Sequence, residues 1–159
     1  MKNGVTVIVD DTTKVVSGLN LLASTRVMVG VPAEKTNRDD PITNAALAYI
    51  HDHGAPEVGI PARPFMEPGI ESVQAKIEDT LYLTAQAASD GKPEAVERGF
   101  QRAGLIAQAG IRAKITEGPF EPLKPSTLAA RRRRGRTGTK PLLDTGQMRN
   151  AINYVIRKV

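Results

Sequence analysis

A chain of 159 residues that is 40% apolar and only 4% aromatic has room for one domain, with a core built from Val, Ile, Leu and Ala and few large rings. The lack of cysteine excludes disulfides, thiolate metal sites and cysteine nucleophiles. The formal charge of +5 is unevenly spread: residues 1–111 hold ten Lys or Arg against fourteen Asp or Glu, and residues 112–159 hold twelve against three. A strongly basic C-terminal third thus follows a mildly acidic body, which suits a polyanion or an acidic protein surface as partner.

The apolar run Val5–Val9 after Met1-Lys2-Asn3-Gly4 is too short for a signal peptide or a membrane span, so a soluble product made in the cytoplasm is expected. Its β-branched residues predict a strand. Asp10, Asp11, Thr12 and Thr13 then offer N-caps for a helix through about Leu22, and Arg26–Val31 is a second strand, ended by Pro32. Ala33–Asp40 is polar, aperiodic and expected to be a mobile loop, after which Pro41 opens a helix. From Ile42 to His53 that helix sets Ile42, Ala45, Ala46, Tyr49 and Ile50 on one stripe, the spacing of a core-facing helix, with Gly54 as its C-cap.

Four prolines and one glycine between Ala55 and Pro68 predict a stiff, extended segment without regular ladders. A helix from Pro68 or Gly69 to about Ala88 follows, broken by Ser89-Asp90-Gly91-Lys92. Pro93 opens the longest helix, to about Thr116, in which Val96, Phe100, Ala103, Ala107, Ile111 and Ile115 recur every three or four residues. Gly99, Ala103 and Ala107 add a ridge of small residues for close packing, against the preceding helix or sheet or against a neighbouring subunit. Three prolines in Gly118–Pro125 mark a connector, Pro125 or Ser126 starts a short basic helix to about Arg134, Gly135–Thr139 is flexible, and Ile152–Val159 is a closing strand. The sum is one α+β domain, 1–159: a small antiparallel or mixed sheet packed against two or three helices, with flexible loops near 33–41 and 117–140.

Catalytic signatures are scarce. On a helix, His51 and His53 project their rings about 200° apart and do not chelate one metal ion, so their expected role is to complement the helix dipole. Asp10-Asp11 and Asp39-Asp40 stand where capping or solvated acids are common. There is no G-x-S-x-G elbow, no phosphate-binding G-x-x-x-x-G-K-[ST] and no G-x-G-x-x-G, and the basic, glycine-containing Gly135–Lys140 follows a helix instead of a strand. No catalytic, cofactor or metal residue is assigned, and a non-enzymatic binding role is expected. The strongest chemical feature is Arg131, Arg132, Arg133 and Arg134 with Arg136 and Lys140, fit for phosphates without sequence specificity or for an acidic protein surface.

Two segments carry a resemblance. Gly59-Ile60-Pro61-Ala62-Arg63-Pro64-Phe65-Met66-Glu67-Pro68 resembles an I-P-x-R-P-F segment that opens a helix, and Leu142-Leu143-Asp144-Thr145-Gly146-Gln147-Met148-Arg149-Asn150-Ala151-Ile152 resembles an L-x-D-T-G-x-[LM]-R-x-[AS]-I segment before a closing strand. In this order and spacing both are similar to the neck, or tail-completion, family of tailed bacteriophages, including the virion-morphogenesis proteins of siphophages and Mu-like phages. The similarity spans about residues 45–155. It implies a head–tail joining protein of the virion neck: a homo-oligomeric ring, expected to be sixfold, between a portal-associated adaptor or stopper protein and a tail terminator or tail tube protein, with non-specific contact to genomic DNA as a further use of the basic stretch and no membrane partner. The residues expected at subunit or partner boundaries are Arg63, Phe65, Arg131–Arg134, Arg136, Asp144 and Arg149. Local chemistry gives some of them a second role: Arg63 can fork onto carbonyls, Phe65 is one of few apolar anchors, and Asp144 and Thr145 can cap the short helix after Gly146.

Overall fold

The computed structural model describes residues 10–32 and 42–159. The expected strand Val5–Val9 and loop Ala33–Asp40 lie outside the described residues. In chain order the elements are α1 (Thr12–Ala23), β1 (Thr25–Gly30), α2 (Asn44–His53), α3 (Met66–Glu71), α4 (Gln74–Ser89), α5 (Pro93–Glu117), α6 (Pro125–Arg133), α7 (Gln147–Ala151) and β2 (Asn153–Lys158), with a single 3-10 turn at Pro56–Val58. The architecture is α+β.

The two strands pair antiparallel, Thr25 opposite Lys158 through Gly30 opposite Asn153. Period-two alternation turns Val27, Val29, Tyr154 and Ile156 inward and leaves Arg26, Met28, Val155 and Arg157 outward. The inner face lies on α5, where Gly104 makes room: a Cβ there would stand 2.4 Å from the Tyr154 ring.

Helix α5 is the axis of the molecule, and all six of the apolar positions expected on its core face are buried. Its first half, Val96 and Phe100, joins Ala88 of α4, Leu21 and Leu22 of α1, and Val27 and Ile156 of the sheet. Its second half, Ile111 and Ile115, joins Phe65, Leu142, Met148 and Ile152. Small residues set the crossings. A Cβ on Gly99 would stand 2.0 Å from Thr84 Oγ1, and one on Gly110 would stand 2.4 Å from the Gly69 carbonyl, so the ridge of small residues packs within the chain.

One step along from the apolar stripe, Gln108, Arg112 and Thr116 form a polar stripe of period four. Gln108 Nε2 donates to the Ile152 carbonyl at 2.7 Å, Arg112 Nη2 donates to Asn150 and Ile152 carbonyls at 3.2 and 2.8 Å, and Arg149 Nε donates to Thr116 Oγ1 at 2.9 Å. The bonds of Gln108 and Arg112 satisfy backbone oxygens where α7 gives way to β2, and that of Arg149 ties α7 to α5.

Two helices differ from expectation. The stripe Ile42, Ala45, Ala46, Tyr49, Ile50 is not the core face of α2: Tyr49 is 65% exposed and Ile42 lies before the helix, which begins after the Thr43 cap. The inward face carries Asn44, Leu47, Ala48 and His51. The helix expected from Pro68 or Gly69 to about Ala88 is two, α3 and α4, separated at Ser72-Val73. It also starts earlier, at Met66, because Asp52 of α2 reaches across and accepts the N–H groups of Phe65 and Met66 at 2.7 and 3.0 Å, supplying a cap that α3 lacks in its own sequence.

Candidate functional site

The two signature segments, some eighty residues apart in sequence, meet around one cavity of about 580 Å³. Its wall combines Leu47 and His51 from α2, Arg63 from the proline-rich segment, Leu123, then Thr127, Ala130 and Arg131 of α6 with its C-cap Arg134, Arg136, and residues 142 and 144–148. Apolar and cationic groups therefore line the same hollow.

The arginines differ sharply in what holds them. Arg63 is only 5% exposed, and its Nε and Nη2 donate to the Glu121 carbonyl at 3.2 and 3.1 Å. Arg131 is 8% exposed, with Nη1 within 2.9–3.0 Å of the carbonyl oxygens of Gly138, Lys140 and Leu143 and Nε 3.5 Å from Asp144. Arg136 pairs with the other oxygen of Asp144. Arg132, Arg133 and Arg134 are exposed, and their side chains take no hydrogen bond or ion pair among the described residues.

Several of the residues expected at subunit or partner boundaries have partners inside the chain. Phe65 is fully buried in the core cluster, so it serves the fold from within. Arg63 and Arg131 are staples for backbone carbonyls, and Arg149 binds Thr116 of α5. Asp144 does not cap α7: its carboxylate is taken by Arg131 and Arg136, and Gly146, at φ +76°, is the N-cap without any side-chain bond. Thr145 Oγ1 keeps a long 3.4 Å contact from the Gln147 N–H. Within 117–140 the expected basic helix forms as α6, and the loops on either side of it make bonds to the rest of the chain. Lys124 Nζ donates to the Gly59 carbonyl at 2.8 Å and Lys140 Nζ to the Thr116 carbonyl at 3.1 Å, alongside the bonds of Arg63 and Arg131.

Leu142 sits between two of the carbonyls that Arg131 grips and has φ +61°, an uncommon conformation for a branched residue. Burial of its side chain and the Arg131 clamp on either side hold it there. The turn that follows thus delivers Asp144 to the arginines and Met148 to the core.

His51, expected as a protonated dipole partner, has a different setting. Burial pushes its pKa below the usual histidine value, and the positive charges of Arg63 and then Arg131 push it further the same way. Its Nδ1 is buried without a partner among the described residues. His53, one turn from Tyr49, stacks on that ring at 4.3 Å and points its Nδ1 toward the Tyr49 carbonyl. Among the described residues no three His, Asp or Glu side chains gather as a metal ion would need, and no helix is long and apolar enough to cross a membrane.

Sequence reasoning did not single out Asp52, Gln108, Arg112 or Lys124, each of which binds backbone groups far away in the chain. Only the period-four polar stripe on α5 left a trace in the sequence. Comparison with protein-family models, with curated proteins and with solved structures finds no match for this chain.

Proposed function

We propose that the chain is a structural subunit of a tailed-phage neck, acting by binding: copies assemble into a ring, expected to be sixfold, that joins the head connector to the tail. The observation that carries this reading is the convergence of the two signature segments. Phe65 of the first and Leu142, Met148 and Ile152 of the second enter one core cluster with Ile111 and Ile115, and both segments line one cavity. Motifs that resemble those of one family thus act as one unit in this fold, which supports reading them together.

A ring interface is heterologous, one face of a subunit meeting a different face of the next. The acidic body and basic C-terminal third suit head-to-tail pairing, and Arg132, Arg133 and Arg134 are a run of exposed cations available for it. Arg63, Arg131 and Arg136 already bond inside the chain, whereas Arg132–Arg134 keep every side-chain donor available. Electron microscopy of particles carrying the protein tests the reading. Density for the chain as a closed ring at the head–tail junction is expected, and its absence from the particle overturns the proposal.

The exposed Arg132-Arg133-Arg134 run also favours a second reading, non-specific contact with nucleic acid. Salt dependence separates the two. Under the second reading, duplex affinity falls steeply with added salt and the triple alanine variant loses it while particles still assemble. Under the first, the same variant blocks assembly.

A further inference from the structure

We propose that the cavity between α2, α6 and the 142–148 turn is a receptor site for a carboxylate-bearing peptide segment of a neighbouring protein. It rests on the assembly reading only in taking the occupant from a protein neighbour; the chemistry of the site stands on the cavity itself.

Four guanidinium groups, Arg63, Arg131, Arg134 and Arg136, line the hollow against one carboxylate, Asp144, which two of them already share. The local balance is therefore cationic, in a concave setting where low-dielectric walls concentrate the field. Donors remain. Arg63 uses Nε and Nη2 and Arg131 uses Nη1 and Nε, so Arg63 Nη1 and Arg131 Nη2 have no partner among the described residues, and Arg134 has none at all.

Shape and lining decide the kind of anion. Arg63 and Arg131 are nearly inaccessible from a flat approach, which a duplex backbone would make. A side-chain carboxylate on an extended strand can enter, and the planar fork of an arginine accepts it in bidentate fashion. Leu47, Leu123, Leu142 and Met148 give apolar neighbours of that carboxylate somewhere to pack. A free phosphate lacks any use for those surfaces.

The test follows amide shifts of the full chain by nuclear magnetic resonance during titration with a blocked hexapeptide holding two adjacent aspartates between apolar residues. Its asparagine twin, inorganic phosphate and a short DNA duplex serve as parallel probes. The aspartate peptide is expected to shift amides around residues 47–51 and 142–148, and to bind about tenfold more tightly than the twin or phosphate, about 1.4 kcal/mol. Arg134→Gln, an exposed change with no intrachain partner to lose, is expected to remove most of that difference while leaving the spectrum dispersed. Equal binding of the asparagine twin, an unchanged affinity in Arg134→Gln, or cavity shifts from the duplex but not the peptide would each overturn the proposal. A ring that fails to form while the peptide still binds would instead count against the assembly reading alone.

Discussion

Arg131 shows how far a residue's role can depart from its type. A run of arginines suggests a solvated, phosphate-ready face, yet the first of the run is buried and grips three carbonyls of the loop that follows. Arg131→Met is expected to cost about 2–4 kcal/mol, because carbonyls of the loop and Asp144 lose a charged donor in a buried place; chemical denaturation measures it. Asp52→Asn should cost about 1 kcal/mol by weakening the cap it lends α3 from a distance. His51 adds a pH dependence. Its pKa is lowered in the folded chain, so the unfolded chain binds more protons and stability falls as pH drops below about 6.5, levelling off below the folded value. In His51→Gln that part of the slope should vanish, which thermal melts across the same range can check. None of this was visible in sequence. Arg131 and His51 stand out by residue type and Asp52 does not, and the partners of Arg131 and Asp52 are backbone oxygens and amides 7 to 14 residues away, which leave no pattern.

At the scale of elements, the long helix was legible and the short ones were less so. Six apolar residues at three-and-four spacing in α5 admit one buried face, and the structure buries all six. In α2 the alanines fit either face, so Ile42 and Tyr49 tipped the expectation outward, whereas Leu47, Ala48 and His51 pack inward. The helix start after Thr43, whose hydroxyl caps Ala46, removes Ile42 from the stripe altogether. The break between α3 and α4 has no proline to announce it, and the close Gly69–Gly110 approach that seats α3 on α5 leaves no periodic trace in the sequence. Gly110→Ala should therefore push α3 off α5, with about 1–3 kcal/mol lost. Denaturation of that variant checks it, and a stability equal to the parent chain would refute this account of the crossing. Of the candidate site, the two signature segments and the basic stretch were in view from the start. The cavity that unites them was not, since it depends on α2 and on the bonds that pin residues 117–140.

For the whole molecule, composition and structure lead to the same economy of core. Among the described residues the buried apolar side chains include only two rings, Phe65 and Phe100, and the core divides into two clusters along α5. In the proposed ring such a chain would gain from association, and the charge asymmetry would set how copies meet. Arg132, Arg133 and Arg134 are exposed and unpaired among the described residues, so replacing all three with alanine should leave the melting temperature nearly unchanged while removing any assembly that depends on them. The most direct measurement is sedimentation of the purified chain, and of that triple variant, across a range of protein concentration at low and at roughly 0.5 M salt. The account predicts a concentration-dependent ring of defined size for the parent chain, weakened by salt and lost in the folded triple variant. A ring of the same size and strength in the variant would contradict it.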